Sequence, residues 1–131
     1  MIFFIIVKFL VIFKIKGASD TEPSIEVREE QHEIRIERTT GGLGLSIAGG
    51  IGSTPFKNND EGVFISRVTE GGPADLAGLR VGDKLLAVNG ISVVRCDHYD
   101  AVEVLKACGR VLDLVIVREV TKYIPSSEQV S

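Results

Sequence analysis

The residues of this chain that could do chemistry begin with Gly41-Gly42-Leu43-Gly44-Leu45. They run into an apolar segment, Leu45-Ser46-Ile47-Ala48, where a phosphate-binding loop would run into a helix. A glycine-rich turn feeding a strand presents a row of backbone amides that can hold an anion, while the strand edge stays available to a peptide. That combination suits the carboxylate at the end of a polypeptide better than a nucleotide. A second candidate is His98, followed at i+4 and i+7 by Val102 and Leu105. Enzyme chemistry lacks its residues. Gly42-x-Gly44 meets Ile47, and Gly50-x-Gly52 meets Pro55, where a dinucleotide fingerprint needs glycine, and no Gly-Lys-Ser/Thr occurs. His32 and His98 are the only histidines, and no Gly-x-Ser-x-Gly or His-x-x-x-His sets one beside a nucleophile or a metal. No catalytic residue, metal ligand or cofactor is expected.

The elements that must position these groups are legible as periodicities. Ile34 and Ile36 alternate with Glu33, Arg35 and Glu37, the period-2 mark of a half-buried first strand. Residues 45–49 form a second strand. Residues 50–61, with Pro55, Asn58, Asn59 and Asp60, read as a long mobile connection to a third strand opened by Val63-Phe64-Ile65. Proline just inside the start and Gly78 just past the end frame a one-turn helix at 73–77. A fourth strand, 83–88, turns through Asn89-Gly90 into a brief fifth at 91–93, and the apolar stretch 111–117 makes a central last strand. Between them lies a helix at 97–108, capped by Asp97 with Asp100 in its first turn. It carries two apolar stripes. Ala101, Val104 and Cys108 should face the core, whereas His98, Val102 and Leu105 call for a second cover, either protein or ligand. The fold class expected is α+β: a small, partly open antiparallel β-barrel or sandwich of five to six strands with two helices.

The 131 residues suffice for one domain, and 44% hydrophobic content for a small core. Fifteen basic against eighteen acidic residues give a net charge of −3, with no basic stripe for nucleic acid. Cys96 and Cys108 fit neither a disulfide framework nor a Cys-x-x-Cys metal site, which points to a reducing compartment. Met1 to Ile15 are apolar except for Lys8 and Lys14, yet short of the roughly 20 residues that span a bilayer. An interfacial anchor, a targeting segment or a stretch wrongly joined to the domain by a gene model are the three readings. Residues 1–30, the apolar segment and a polar linker, are expected to lie outside the fold, with the domain at 31–120 and a flexible tail at 121–131.

The order of these elements and their residues together resemble a PDZ domain over about 32–119. The fragments are Arg38, Gly42-Leu43-Gly44-Leu45, Gly71-Gly72-Pro73-Ala74, Leu79-Arg80-Val81-Gly82-Asp83, Val88-Asn89-Gly90 and the helix beginning at His98. The segment Leu45-Ser46-Ile47-Ala48-Gly49-Gly50, with Gly52-Ser53-Thr54-Pro55-Phe56 and Asp60-Glu61-Gly62-Val63-Phe64-Ile65-Ser66-Arg67-Val68, is similar to PDZ domains of Scribble-type polarity scaffolds.

The resemblance implies a module that takes the C-terminus of a partner protein as an added strand. Leu43, Gly44 and Leu45 would bind the terminal carboxylate through backbone N–H groups, with Arg38 contributing through water. Ser46, Ile47 and Ala48 would pair with the peptide strand, and Val102 and Leu105 would complete the pocket for its last side chain. His98 would bond a Ser or Thr hydroxyl two residues earlier, giving ligands that end in Ser/Thr-x-Val or Ser/Thr-x-Leu. Ser66 and Arg67 would meet residues further upstream. The implied partners are C-termini of membrane receptors, channels or signalling proteins, met in the cytoplasm at the inner face of the plasma membrane or at cell junctions. Membrane contact is expected only through the N-terminal segment. Two other readings stay open: a membrane-surface adaptor anchored through residues 1–16, and the regulatory module of a protease whose catalytic domain lies elsewhere.

Overall fold

Ile34 and Ile36 turn inward while Glu33, Arg35 and Glu37 face solvent, so this strand buries one face. In the computed structural model, which describes Lys8, Phe9 and residues 24–124, that alternation lies inside a longer strand. The elements in chain order are β1 (Lys8–Phe9), β2 (Ser24–Glu37), β3 (Leu45–Gly49), β4 (Val63–Val68), α1 (Pro73–Ala77), β5 (Lys84–Val88), β6 (Ile91–Ser92), α2 (His98–Ala107) and β7 (Val111–Ile124).

The described residues divide into two compact units. In the first, His32–Val117, the strands run in the order β2-β7-β5-β4-β3, with β6 pairing off β5. The pairs β3–β4, β4–β5, β5–β6 and β5–β7 are antiparallel. This is the expected α+β class, an open sheet accompanied by two helices. The second unit contains residues 24–31 and 118–124 of the two long strands, with β1 antiparallel to β2 through Lys8 opposite Glu30 and Phe9 opposite Glu29. Strand extends into the stretches expected as linker and tail, since β2 begins at Ser24 and β7 continues to Ile124. Residues 26–31 are mostly charged and carry no apolar alternation, so hydrophobic periodicity does not mark them as strand. The rest of the apolar segment 1–16, and residues 125–131, lie outside the described residues.

The core of the first unit is built from Ile36, Ile65, Leu79, Leu85, Leu112, Leu114 and Ile116, all fully buried, with Ala101 and Leu105 supplied by α2. On β7, Leu112, Leu114 and Ile116 are buried while Val111 and Asp113 are exposed, so the central strand alternates although its sequence is almost wholly apolar. Asn89 (φ 49°) and Gly90 (φ 81°) give the left-handed pair that a tight hairpin needs. The Asn89 side chain also donates to the carbonyls of Cys108 and Val111 and accepts from the Asp113 N–H, clipping the turn to the connection between α2 and β7.

The β3–β4 connection, expected to be mobile, is tied down. Lys57 and Asp60 bridge around Asn58, and Asp60 Oδ1 accepts the Gly62 N–H at 2.8 Å. Asp60 Oδ2 meets Lys84 Nζ at 2.8 Å, and the Phe56 ring stacks on Phe64 at 5.3 Å. Burial alone would raise the Asp60 carboxyl. The Lys84 ammonium, the Gly62 N–H and the Lys57 charge outweigh it and hold the group below its ordinary value. A depressed value means that the contribution is complete above the unfolded-state value near about 4 and is lost as pH falls through the folded-state value. With side-chain exposures of 31% for Lys84 and 38% for Asp60, solvent screening limits it to about 0.5 kcal/mol. Urea unfolding should therefore show Asp60→Asn less stable than the parent by about that amount at neutral pH, and the gap closing as pH falls below the ordinary carboxylate value of about 4. A gap that persists unchanged at low pH would contradict this assignment.

Candidate functional site

The strand order ends at β3, whose one edge pairs with β4 while the other faces α2. Between them runs a groove of about 350 Å³. Leu43, Leu45 and Ile47 form its sheet side, and His98, Val102 and Leu105 form its helix side. The structure thus brings together residues that are far apart in sequence and were expected to share a pocket. Leu105 serves two purposes: at 6% exposure it belongs to the core as well as to the groove, so the two stripes of α2 are not cleanly separated.

The glycine turn has a direction fixed by its acceptors. Thr39 and Gly42 exchange backbone hydrogen bonds across the turn, and Gly42 takes φ 95°. The Leu43 carbonyl accepts the Ala74 N–H at the start of α1, and the Gly44 carbonyl accepts the Thr69 N–H just beyond β4. In a planar trans peptide the N–H of the following residue points opposite to the carbonyl. The amides of Gly44 and Leu45 are therefore directed away from α1 and β4. Gly44 sits at φ 76°, with Pro73 Cδ only 3.2 Å from where a Cβ would stand, so a side chain there would disturb the turn as well as strain it.

His98 opens α2 immediately after Asp97, whose carboxylate accepts the Asp100 N–H at 2.8 Å. Its Nδ1 lies 3.1 Å from the Gly49 carbonyl oxygen. A carbonyl only accepts, so Nδ1 carries the proton, and in the neutral ring Nε2 is left as an acceptor. The approach depends on the end of β3. Gly50 has φ 102°, and a Cβ on it would lie 2.6 Å from the His98 backbone nitrogen.

Arg38 does more than sequence reasoning assigned to it. Its Nη2 donates to the Leu105 carbonyl at 2.7 Å and its Nε to the Gly109 carbonyl at 2.9 Å. It satisfies an acceptor that the end of α2 leaves open, and it places a cation at the negative end of that helix. It also lines the groove, as does Lys106, which the sequence analysis missed. The signal for Lys106 was its place next to Leu105 in the last turn of α2. Ser46 lines the groove, whereas Gly44 and Ala48 contribute no lining side chain. Ser66 and Arg67 lie on β4 outside it, with Arg67 paired directly across from Ser46. Cys96, near the start of α2, has its thiol pushed up by burial and by the charges of Asp100 and Asp97. Among the described residues no cluster of His, Cys, Asp and Glu is arranged to hold a metal ion, and no helix is long and apolar enough to cross a membrane.

A family model described as PDZ domain matches residues 33–117. Leucine-rich repeat-containing protein 7 of Rattus norvegicus is 46% identical over 100 residues, covering 75% of this chain and 7% of that protein. Erbin of Mus musculus is 40% identical over 98 residues, covering 73% of this chain and 7% of its own. The chain thus spans a small fraction of the curated relatives that it matches. A crystal structure of the choanoflagellate (Monosiga brevicollis) Dlg1 PDZ2 superposes with a TM-score of 0.61 at 40% identity, over 66% of this chain and 96% of that one. These relatives agree with the resemblance to PDZ domains of Scribble-type scaffolds.

Replacing Arg38 by Met should lower stability by about 1–2 kcal/mol in urea unfolding without ligand, because a helix-end carbonyl loses its partner. Unchanged stability would mean that the two hydrogen bonds carry no net weight and that Arg38 serves only the groove.

Proposed function

This chain belongs to the PDZ domain family, and on that premise we propose that its groove binds the C-terminal Ser/Thr-x-Val or Ser/Thr-x-Leu residues of partner proteins by strand addition to β3. The observation that carries the reading is an unpaired strand edge facing a helix, closed at one end by amides turned away from their own fold. The ligand carboxylate accepts hydrogen bonds from the Leu43, Gly44 and Leu45 amides, each charge-assisted bond contributing about 1.5–3 kcal/mol before desolvation and ordering costs. Arg38 keeps guanidinium N–H groups beyond the two it spends on the Leu105 and Gly109 carbonyls, and with Lys106 it makes that end of the groove positive. The last ligand side chain sits among Leu43, Leu45, Ile47, Val102 and Leu105. These walls are aliphatic and select Val or Leu.

The hydroxyl two residues upstream donates to His98 Nε2, the acceptor that the Gly49 contact leaves on the neutral ring. Ser46 and Ala48 lie along the added strand, and Ser66 and Arg67 meet residues further from the ligand's end. The parent protein is read as a non-catalytic scaffold of cell polarity or junctions. Its partners are the tails of membrane receptors, channels or signalling proteins at the inner face of the plasma membrane, and the domain occupies 31–120.

Isothermal titration should give micromolar binding, about −8 kcal/mol, to peptides ending in Thr-x-Val. Amidation of the peptide's C-terminus should abolish it, and an unchanged affinity would sink the carboxylate assignment. His98→Ala should weaken Thr-containing peptides by about 1 kcal/mol while barely affecting a Val-for-Thr peptide. Equal losses for both would mean that His98 supports the fold and reads nothing.

A further inference from the structure

The ion pair that ties down the β3–β4 connection is joined to His98 by a line of hydrogen bonds that runs through the backbone of Gly62, Gly50 and Gly49. Lys84 Nζ holds Asp60 Oδ2 at 2.8 Å, and Asp60 Oδ1 accepts the Gly62 N–H at 2.8 Å. The Gly62 carbonyl accepts the Gly50 N–H at 3.1 Å, and the Gly49 carbonyl faces His98 Nδ1 at 3.1 Å. All three glycines are buried. A Cβ on Gly49 would collide with the Gly62 carbonyl oxygen, one on Gly62 would lie 2.5 Å from Lys84 Cε, and one on Gly50 would meet the His98 backbone. No side chain cushions this line, so a displacement at Gly62 passes to Gly49 and Gly50. Just beyond, the Ile51 N–H donates to the Cys96 carbonyl at 3.0 Å, binding the same connection to the approach of α2.

We infer that Asp60 and Lys84 are positioning residues for the His98 imidazole, acting through Gly62, Gly49 and Gly50, and that they set how sharply the groove distinguishes a ligand hydroxyl. This rests on the reading of His98 given above. The Gly49 carbonyl is the only acceptor that holds Nδ1 protonated among the described contacts, and its position fixes both the tautomer and the direction of Nε2. Releasing Asp60 from Lys84 frees Gly62, loosens the Gly49 carbonyl and lets the ring take the other tautomer, in which Nε2 donates instead of accepting. The carboxylate loop lies at the other end of β3 and is untouched.

The test compares two peptides, one ending in Thr-x-Val and its Val-for-Thr counterpart, on the full chain and on Asp60→Ala, Lys84→Met and Lys84→Arg. The full chain should prefer the Thr peptide about fivefold. That preference should fall to about twofold or less in Asp60→Ala and Lys84→Met, with affinity for the Val-for-Thr peptide within about twofold of the parent and the preference largely retained in Lys84→Arg. A purely structural role would instead weaken both peptides alike, and an unchanged ratio in the two disrupting variants overturns the inference. The ¹⁵N shifts of the His98 ring supply an independent readout without ligand. They should report the Nδ1-protonated tautomer in the parent and a mixture in Asp60→Ala and Lys84→Met. If the parent shows no preference for Thr, the hydroxyl reading fails, and the ring shifts still decide the coupling: identical spectra in parent and variants overturn it.

Discussion

The fold depends on leaving one strand edge unpaired and keeping a helix beside it. β3 ends the sheet, and α2 faces its free edge with side chains, which cannot complete a backbone ladder. Exposed edges invite pairing with another chain, and most proteins blunt them. Here the edge is retained along a groove of about 350 Å³ between β3 and α2. Both ends of α2 are fastened to keep it so: Gly50 admits the start of the helix, and Arg38 binds the Leu105 carbonyl in its last turn.

Charge is arranged locally against the balance of the chain. The whole carries −3, yet the end of the groove beside the glycine turn gathers Arg38 and Lys106, together with amides directed away from α1 and β4. A carboxylate placed there meets donors that need no reorganisation. At the opposite end stands a single imidazole whose Nδ1 lies 3.1 Å from the Gly49 carbonyl oxygen. The groove therefore carries cationic side chains and backbone amides at one end and an imidazole at the other, with apolar side chains between them.

Much of this was legible in the residues. The expected bounds of β3 and α1 coincide with those observed, and Asp97 caps α2 as its type and position require. Local patterns of this kind carry their own physics: period, cap and turn residue. What was not legible depends on contacts between distant residues. Arg38 was expected only to contribute to the groove through water, because its acceptors lie 67 and 71 positions away. The β3–β4 connection looked mobile because Asp60 finds Lys84 only once β5 is in place, 24 positions on. The outer parts of β2 and β7 carry only sparse apolar positions, Ile25 and Val27 on one and Val120 and Ile124 on the other, among polar and charged residues, which is too short a pattern to announce a strand.

The most direct test of the open edge is amide shift mapping of the ¹⁵N-labelled chain during titration with a peptide ending in Thr-x-Val. The account predicts the largest changes at the amides of Leu43, Gly44 and Leu45 and along β3, with His98 and Val102 following on α2. Changes concentrated elsewhere, such as on Gly71, Leu76 and Ala77, with β3 unmoved, would contradict it.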